Sequence, residues 1–292
     1  MPFHHVVADA AALVMAPNHD RNAGNTRHMT ERAMAMILLR SRVTVLDGEA
    51  AARTLTARFA TDPEWRVLPG AAPAGSALLA QAGQAFLVAQ VDAPVPAPDI
   101  ARYAADAYWW PTARQDLSTH RAHLVVSTLA RPGDKPADAL AIARSVTRLA
   151  GVLAAEAGGN TVAGLWTNAG TAQPAAAFAQ QSMTDFPLNL WLDIRLLRGS
   201  QPTEIGIATR GLTLFRGLEL VIAPTSVLPP EQLARRCTDI AIYLMRGGDV
   251  RDGDTVGGGG GWQWRAHHRP QGPQGGPVIE LSVEATAQER RP

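Results

Sequence analysis

The chain has 292 residues, enough for one large domain or two small ones. A hydrophobic fraction of 46% is that of a globular protein whose core needs no disulfide or metal staple. A formal net charge of +1 lacks the basic excess of a dedicated nucleic-acid binder or a polybasic membrane anchor, so neither nucleic acid nor membrane is an expected partner.

Single residues narrow the chemistry further. Cys237 is the one cysteine, which excludes an intrachain disulfide and cysteine-based zinc or iron–sulfur sites, and leads us to expect a reducing, cytoplasmic setting. Lys135 is the one lysine among 27 basic residues. A Schiff-base enzyme would need it, and it sits in a Pro/Gly turn that rarely supplies the required dry pocket. Residues 1–17 lack a basic start followed by an apolar run, so no secretory signal is expected.

In chain order, residues 1–33 are rich in turn formers and are expected to form a disordered N-terminal tail. Strand-like sequence starts at Met34 and covers residues 36–39 and 43–46. Asp47 then reads as the N-cap of a helix over residues 49–59. Residues 85–91 have strand length. Residues 98–110 read as a helix opened by proline, and 123–129 as a strand. Residues 138–157 form the clearest helix, with Ile142, Val146, Leu149 and Leu153 on one face. A strand at 161–167 and a short helix at 175–181 follow. Alternation from Leu190 to Leu196 reads as a half-buried strand, and 204–209 and 211–222 as two more. Residues 230–246 form a helix with Leu233, Cys237, Ile240 and Leu244 inward, stopped by Gly247 and Gly248. The glycine run 257–261 and the Pro/Gly/Gln-rich stretch behind it give 257–292 the composition of a C-terminal tail, with one short strand at 278–283.

Three consecutive strands after alternating ones argue against a doubly wound fold. The expected class is α+β: a mainly antiparallel sheet over residues 34–256 with helices packed on one face, in an order that admits two ferredoxin-like halves.

The chain contains no P-loop, dinucleotide fingerprint, nucleophile elbow or H-E-x-x-H string. His120 and His123 are the only histidines of the body. Because His120 precedes a strand that His123 opens, they are expected to diverge rather than share a metal. In residues 252–257, Asp252 and Asp254 alternate with glycine. That pattern suits either a small cation or, as preferred here, a turn whose carboxylates cap backbone N–H groups. No metal site and no cofactor are expected. Tyr108, Trp109 and Trp110 put three aromatics at a helix end, suited to plugging a helix–sheet seam, lining a pocket or anchoring a partner.

Six strings occur in order: residues 34–39, 107–109, 120–123, 164–166, 209–212 with 215–220, and 252–257. Together they resemble the bacterial domain-of-unknown-function family 4261 over about residues 34–257. The resemblance implies a compact α+β domain and carries no activity or catalytic residues. Two functions remain open. One is a non-enzymatic interaction protein, such as an immunity or accessory factor, with a protein partner. The other is a small-molecule-binding protein or hydrolase-type enzyme with a pocket around Trp109, His123, Glu219, Asp252 and Asp254.

Overall fold

The computed structural model describes residues 32–43, 46–69, 75–129, 138–259 and 262–285. Residues 1–31 of the tail expected over 1–33, and the turn around Lys135, lie outside these. The chain divides into two compact units, Met1–Leu190 and Trp191–Pro292, where one domain over 34–256 was expected. Seven described strands precede the boundary and six follow it, in two separate sheets.

The first unit runs β1 (Met34–Leu39), α1 (Gly48–Arg58), β2 (Arg66–Val67), β3 (Ser76–Gln81), β4 (Gln84–Val91), α2 (Ala97–Asp106), α3 (Ala113–Leu117) and β5 (Ala122–Thr128). It continues with α4 (Ala139–Ala157), β6 (Thr161–Trp166), β7 (Thr171–Pro174), α5 (Ala175–Gln181) and α6 (Leu188–Trp191), within which the boundary falls. Its sheet has the order β2-β3-β4-β5-β1-β6-β7, with every pairing antiparallel. The Asp47 carboxylate caps α1 by accepting from the Ala50 N–H, and that of Asp138 caps α4 by accepting from Leu140 and Ala141.

The sheet is α+β and antiparallel, but helices cover both of its faces. On the central strand β1, Met36 and Leu38 pack with Ile100 and Tyr103 of α2 and Leu117 of α3. Ile37 points the other way, as strand geometry requires. Its partner Gly164 on β6 lies beneath the Phe178 ring of α5. Helix α4 packs against β1, β5 and β6. This double cover explains why β5 and β6 are buried at every position. The helix expected at 98–110 ends at Asp106, and a turn through Trp110 leads to α3.

The second unit contains β8 (Asp193–Arg198), β9 (Ile205–Arg210), α7 (Thr213–Arg216), β10 (Glu219–Thr225), α8 (Pro230–Met245), β11 (Thr255–Gly259), β12 (Trp262–Arg269) and β13 (Val278–Ala285). The sheet order is β11-β12-β13-β10-β9-β8, antiparallel except for β10 with β13. Neither unit has the βαββαβ order of a ferredoxin-like half.

The expected C-terminal tail is therefore corrected. Residues 262–269 and 278–285 pair in continuous register, from Trp262 with Ala285 to Arg269 with Val278. Trp264, Ala266, Ile279 and Leu281 fill the core, and Arg265–Glu284 and Arg269–Glu280 ion pairs cross the strands. The Pro/Gly-rich stretch is only the loop between these strands. Two further expectations shift: Leu190 and Trp191 belong to α6 rather than a strand, and α7 interrupts the strand expected over 211–222.

Candidate functional site

The two body histidines do not diverge. They converge on one loop, the segment between β4 and α2. The Val95 N–H donates to His120 Nε2 at 2.8 Å, and His120 Nδ1 faces the Leu117 carbonyl. His123 Nδ1 faces the Ala93 carbonyl at 2.8 Å. Burial depresses the basicity of both rings, against the opposing pull of these carbonyls. Neutral rings stapling residues 93–95 to the sheet are a structural device, and both nitrogens of His120 are engaged by backbone. Trp109, the other expected pocket residue of the first unit, is 47% exposed beside Tyr108 at 82%. Their neighbour Trp110 is the plug: it joins the α2–α3 core and donates from Nε1 to Asp116 and Thr112.

Glu219 opens β10 in the second unit and is buried. Its Oε1 accepts from the N–H groups of Gly211 (2.8 Å) and Thr213 (3.1 Å) and from the Thr213 hydroxyl (2.7 Å). Its Oε2 accepts from the Thr209 hydroxyl (2.7 Å) and the Leu212 N–H (3.1 Å). The turn 210–213 is thus an anion-binding nest filled by the chain's own carboxylate. Burial raises the Glu219 carboxyl above the usual range, opposed by the Thr213 and Thr209 hydroxyls and the N–H groups of Thr213 and Gly211. Burial, with the Glu219 charge, pushes the Cys237 thiol up to about 12, which makes that cysteine an inert core residue.

Asp252 and Asp254 lie in the turn before β11. Asp252 accepts from the His268 N–H at 2.8 Å and Asp254 from the Arg251 N–H at 2.7 Å. Both carboxylates hold backbone donors, as turn aspartates do. Among the described residues, no group of three or more His, Cys, Asp or Glu is arranged to hold a metal ion. Of the five expected pocket residues, Trp109 and His123 belong to the first unit and Glu219, Asp252 and Asp254 to the second. Within the second unit, among the described residues, the Glu219 carboxylate shares no hydrogen-bond partner with the two aspartates.

The second unit also contains a groove of about 400 Å³, between α8 and the stretch that leads into the edge strand β11. That volume is in the range of ligand sites. Ile240, Val250 and Val256 give it an apolar lining, and Arg236, Asp239, Asp249 and Asp254 are its charged groups. Tyr243 is 53% exposed and fixed in place: its hydroxyl donates to the Asp249 carbonyl at 3.3 Å. Gly248 lies so close to its ring that a Cβ there would stand 2.4 Å from ring carbons. The carboxylate of Asp239, one turn before Tyr243 on the same helix face, has no hydrogen bond or ion pair among the described residues. Sequence reasoning missed Arg236, Asp239, Tyr243 and Asp249, and it put Ile240 in the core. In the structure Ala241 takes that inward position and Ile240 faces the groove. The available signal was Tyr243, a large ring on the polar side of an amphipathic helix.

Residues 208–282 match the model of a family described as a domain of unknown function (DUF4261). The matched segment contains β10, α8, β11 and β12 whole, and every residue that lines the groove. It covers the C-terminal part of the resemblance drawn from residues 34–257 and extends it to residue 282, within the stretch read as a tail. No curated protein and no solved structure matches the chain. No helix among the described residues is long and apolar enough to cross a membrane.

Proposed function

We propose that this chain is a non-enzymatic interaction protein, an accessory or immunity factor, that binds a protein partner through the groove of its second unit. The observation that carries this reading is a contrast in how polar groups are used. His120, His123, Glu219, Asp252 and Asp254, the groups with the chemistry for catalysis, hold the chain's own backbone. Asp239 and the exposed ring of Tyr243 stand on an open groove instead. Fixed aromatic rings beside charged groups are the usual anchors of protein interfaces.

A photo-crosslinking residue in place of Arg236, in the full chain expressed in its native cell, tests the reading. A single protein adduct is expected from position 236, absent from a control at Arg269 and absent when Tyr243→Ala is added. No protein adduct at position 236, or the same adducts from both positions, would overturn it.

A further inference from the structure

Four described strands stand at the edges of the two sheets, and three of them are blunted against further pairing. Strand β2 has two residues, β7 has four and ends in Pro174, and β11 holds three glycines and a register break between Val256 and Gly258. Strand β8 has six residues, pairs with β9 in unbroken register and contains neither proline nor glycine. Just beyond it, the Gly199 N–H donates to the Glu204 carbonyl at 2.9 Å. Antiparallel alternation from that pair commits residues 193, 195 and 197 to β9 and turns the N–H and C=O groups of Ile194, Leu196 and Arg198 outward. These groups have no partner among the described residues. Leu196, at their centre, is 61% exposed, although Ile207 opposite it on the same face is fully buried.

The outward groups are self-complementary. A dyad through Leu196, perpendicular to the sheet, sets Leu196 opposite Leu196 of a second copy and Ile194 opposite Arg198 of that copy. All the outward groups then pair at once, and like faces of the two sheets stay on one side. No like charges meet directly. Arg195 stands opposite Leu197 of the second copy, and Asp193, 2.7 Å from its Nε, draws the guanidinium away from the dyad. A dyad at Arg195 would set two arginines opposite each other, and one at Leu197 would leave Ile194 opposite Ser200, beyond the strand. We infer that β8 is a dimerisation edge, through which two copies of this chain join their six-stranded sheets into one. The groove borders β11 at the opposite edge of that sheet, so the inference does not rest on what the groove binds.

The overlap of residues 194–198 is smaller than a standard interface, so a Kd on the order of 100 µM is expected. Sedimentation velocity of the whole chain from about 5 µM to about 500 µM should show the rise from monomer to dimer. Leu196→Lys and Leu196→Glu each place like charges opposite one another at the dyad and should weaken dimerisation at least about tenfold. An equimolar mixture of the two variants sets lysine opposite glutamate and should restore it. Because Leu196 is exposed, both variants should keep the wild-type melting temperature. Tyr243→Ala, in the groove, should dimerise as the wild type does. A wild-type chain that stays monomeric throughout would overturn the inference and leave the edge to a strand of another protein. Dimers indifferent to both Leu196 variants, or a mixture no more associated than its components, would overturn it by placing the contact elsewhere.

Discussion

Glu219 shows what a single residue's sequence context conceals. It was named as a candidate pocket residue, but residues 211–222 read as one strand, and a strand would have committed the N–H groups of residues 211–213 to a ladder. In the structure α7 frees the N–H groups of Gly211, Leu212 and Thr213 to face the carboxylate. Glu219→Gln keeps the size and replaces one acceptor with a donor. One backbone N–H is then left facing an amide, so a loss of about 2 kcal/mol in unfolding free energy is expected by denaturant titration. A neutral substitution would mean that the nest tolerates an uncharged group. The histidines set a pH dependence of known sign. Their basicity is lower folded than unfolded, where the ordinary value is 6.5. The unfolded chain therefore binds more protons just below that value, and the stability they contribute is present above it and lost as pH falls through the folded values. The melting temperature should fall between pH 7.5 and 5.5, and less steeply in His123→Gln, which keeps a donor for the Ala93 carbonyl. The difference between the two chains isolates the histidine from carboxylates that titrate in the opposite sense. An identical pH profile in the variant would refute the assignment.

Among the elements, legibility followed the strength of the local pattern. Helix α4 was plain from Val146, Leu149 and Leu153 at helical spacing, and the structure starts it at Ala139 with Asp138, read as its first residue, as the cap. Strand β3 was not seen, because Leu78, Leu79 and Ala80 run into Ala82 and Gly83 without the usual turn residues. The hairpin nonetheless turns there, with φ of 50° at Ala82 and 78° at Gly83, the positive pair that a two-residue hairpin turn requires. Glycine adopts this conformation freely, whereas alanine does so at a steric cost. Ala82→Asn should raise the unfolding free energy by about 0.5–1 kcal/mol, because asparagine tolerates the left-handed region. A lower melting temperature in that variant would show that the turn has a different strain. Strand β12 was obscured for the opposite reason, while its partner β13 was read in part, at 278–283. Turn-rich flanks hid the pairing, in which the alternate residues Trp264 and Ala266, and Ile279 and Leu281, are buried.

For the molecule as a whole, composition marked a globular protein, and the order of strong elements led to an α+β class with a mainly antiparallel sheet and no doubly wound core. The division at residue 190 was not legible, since no Pro/Gly-rich linker marks it: the boundary falls inside α6. The glycine run that was marked as a linker is instead partly strand β11. The groove was illegible because it joins residues 236–243 to 249–257 through tertiary packing: the string 252–257 was noticed, and Asp254 named, but nothing in the sequence pairs that stretch with the helix. Its assignment as the partner-binding surface stands most directly on one measurement: calorimetric affinity between the protein captured at position 236 and the purified whole chain, wild type against Tyr243→Ala. The ring is exposed, so its removal should leave the melting temperature within about 1 °C while weakening binding at least about tenfold. An unchanged Kd in a folded Tyr243→Ala chain would contradict the assignment.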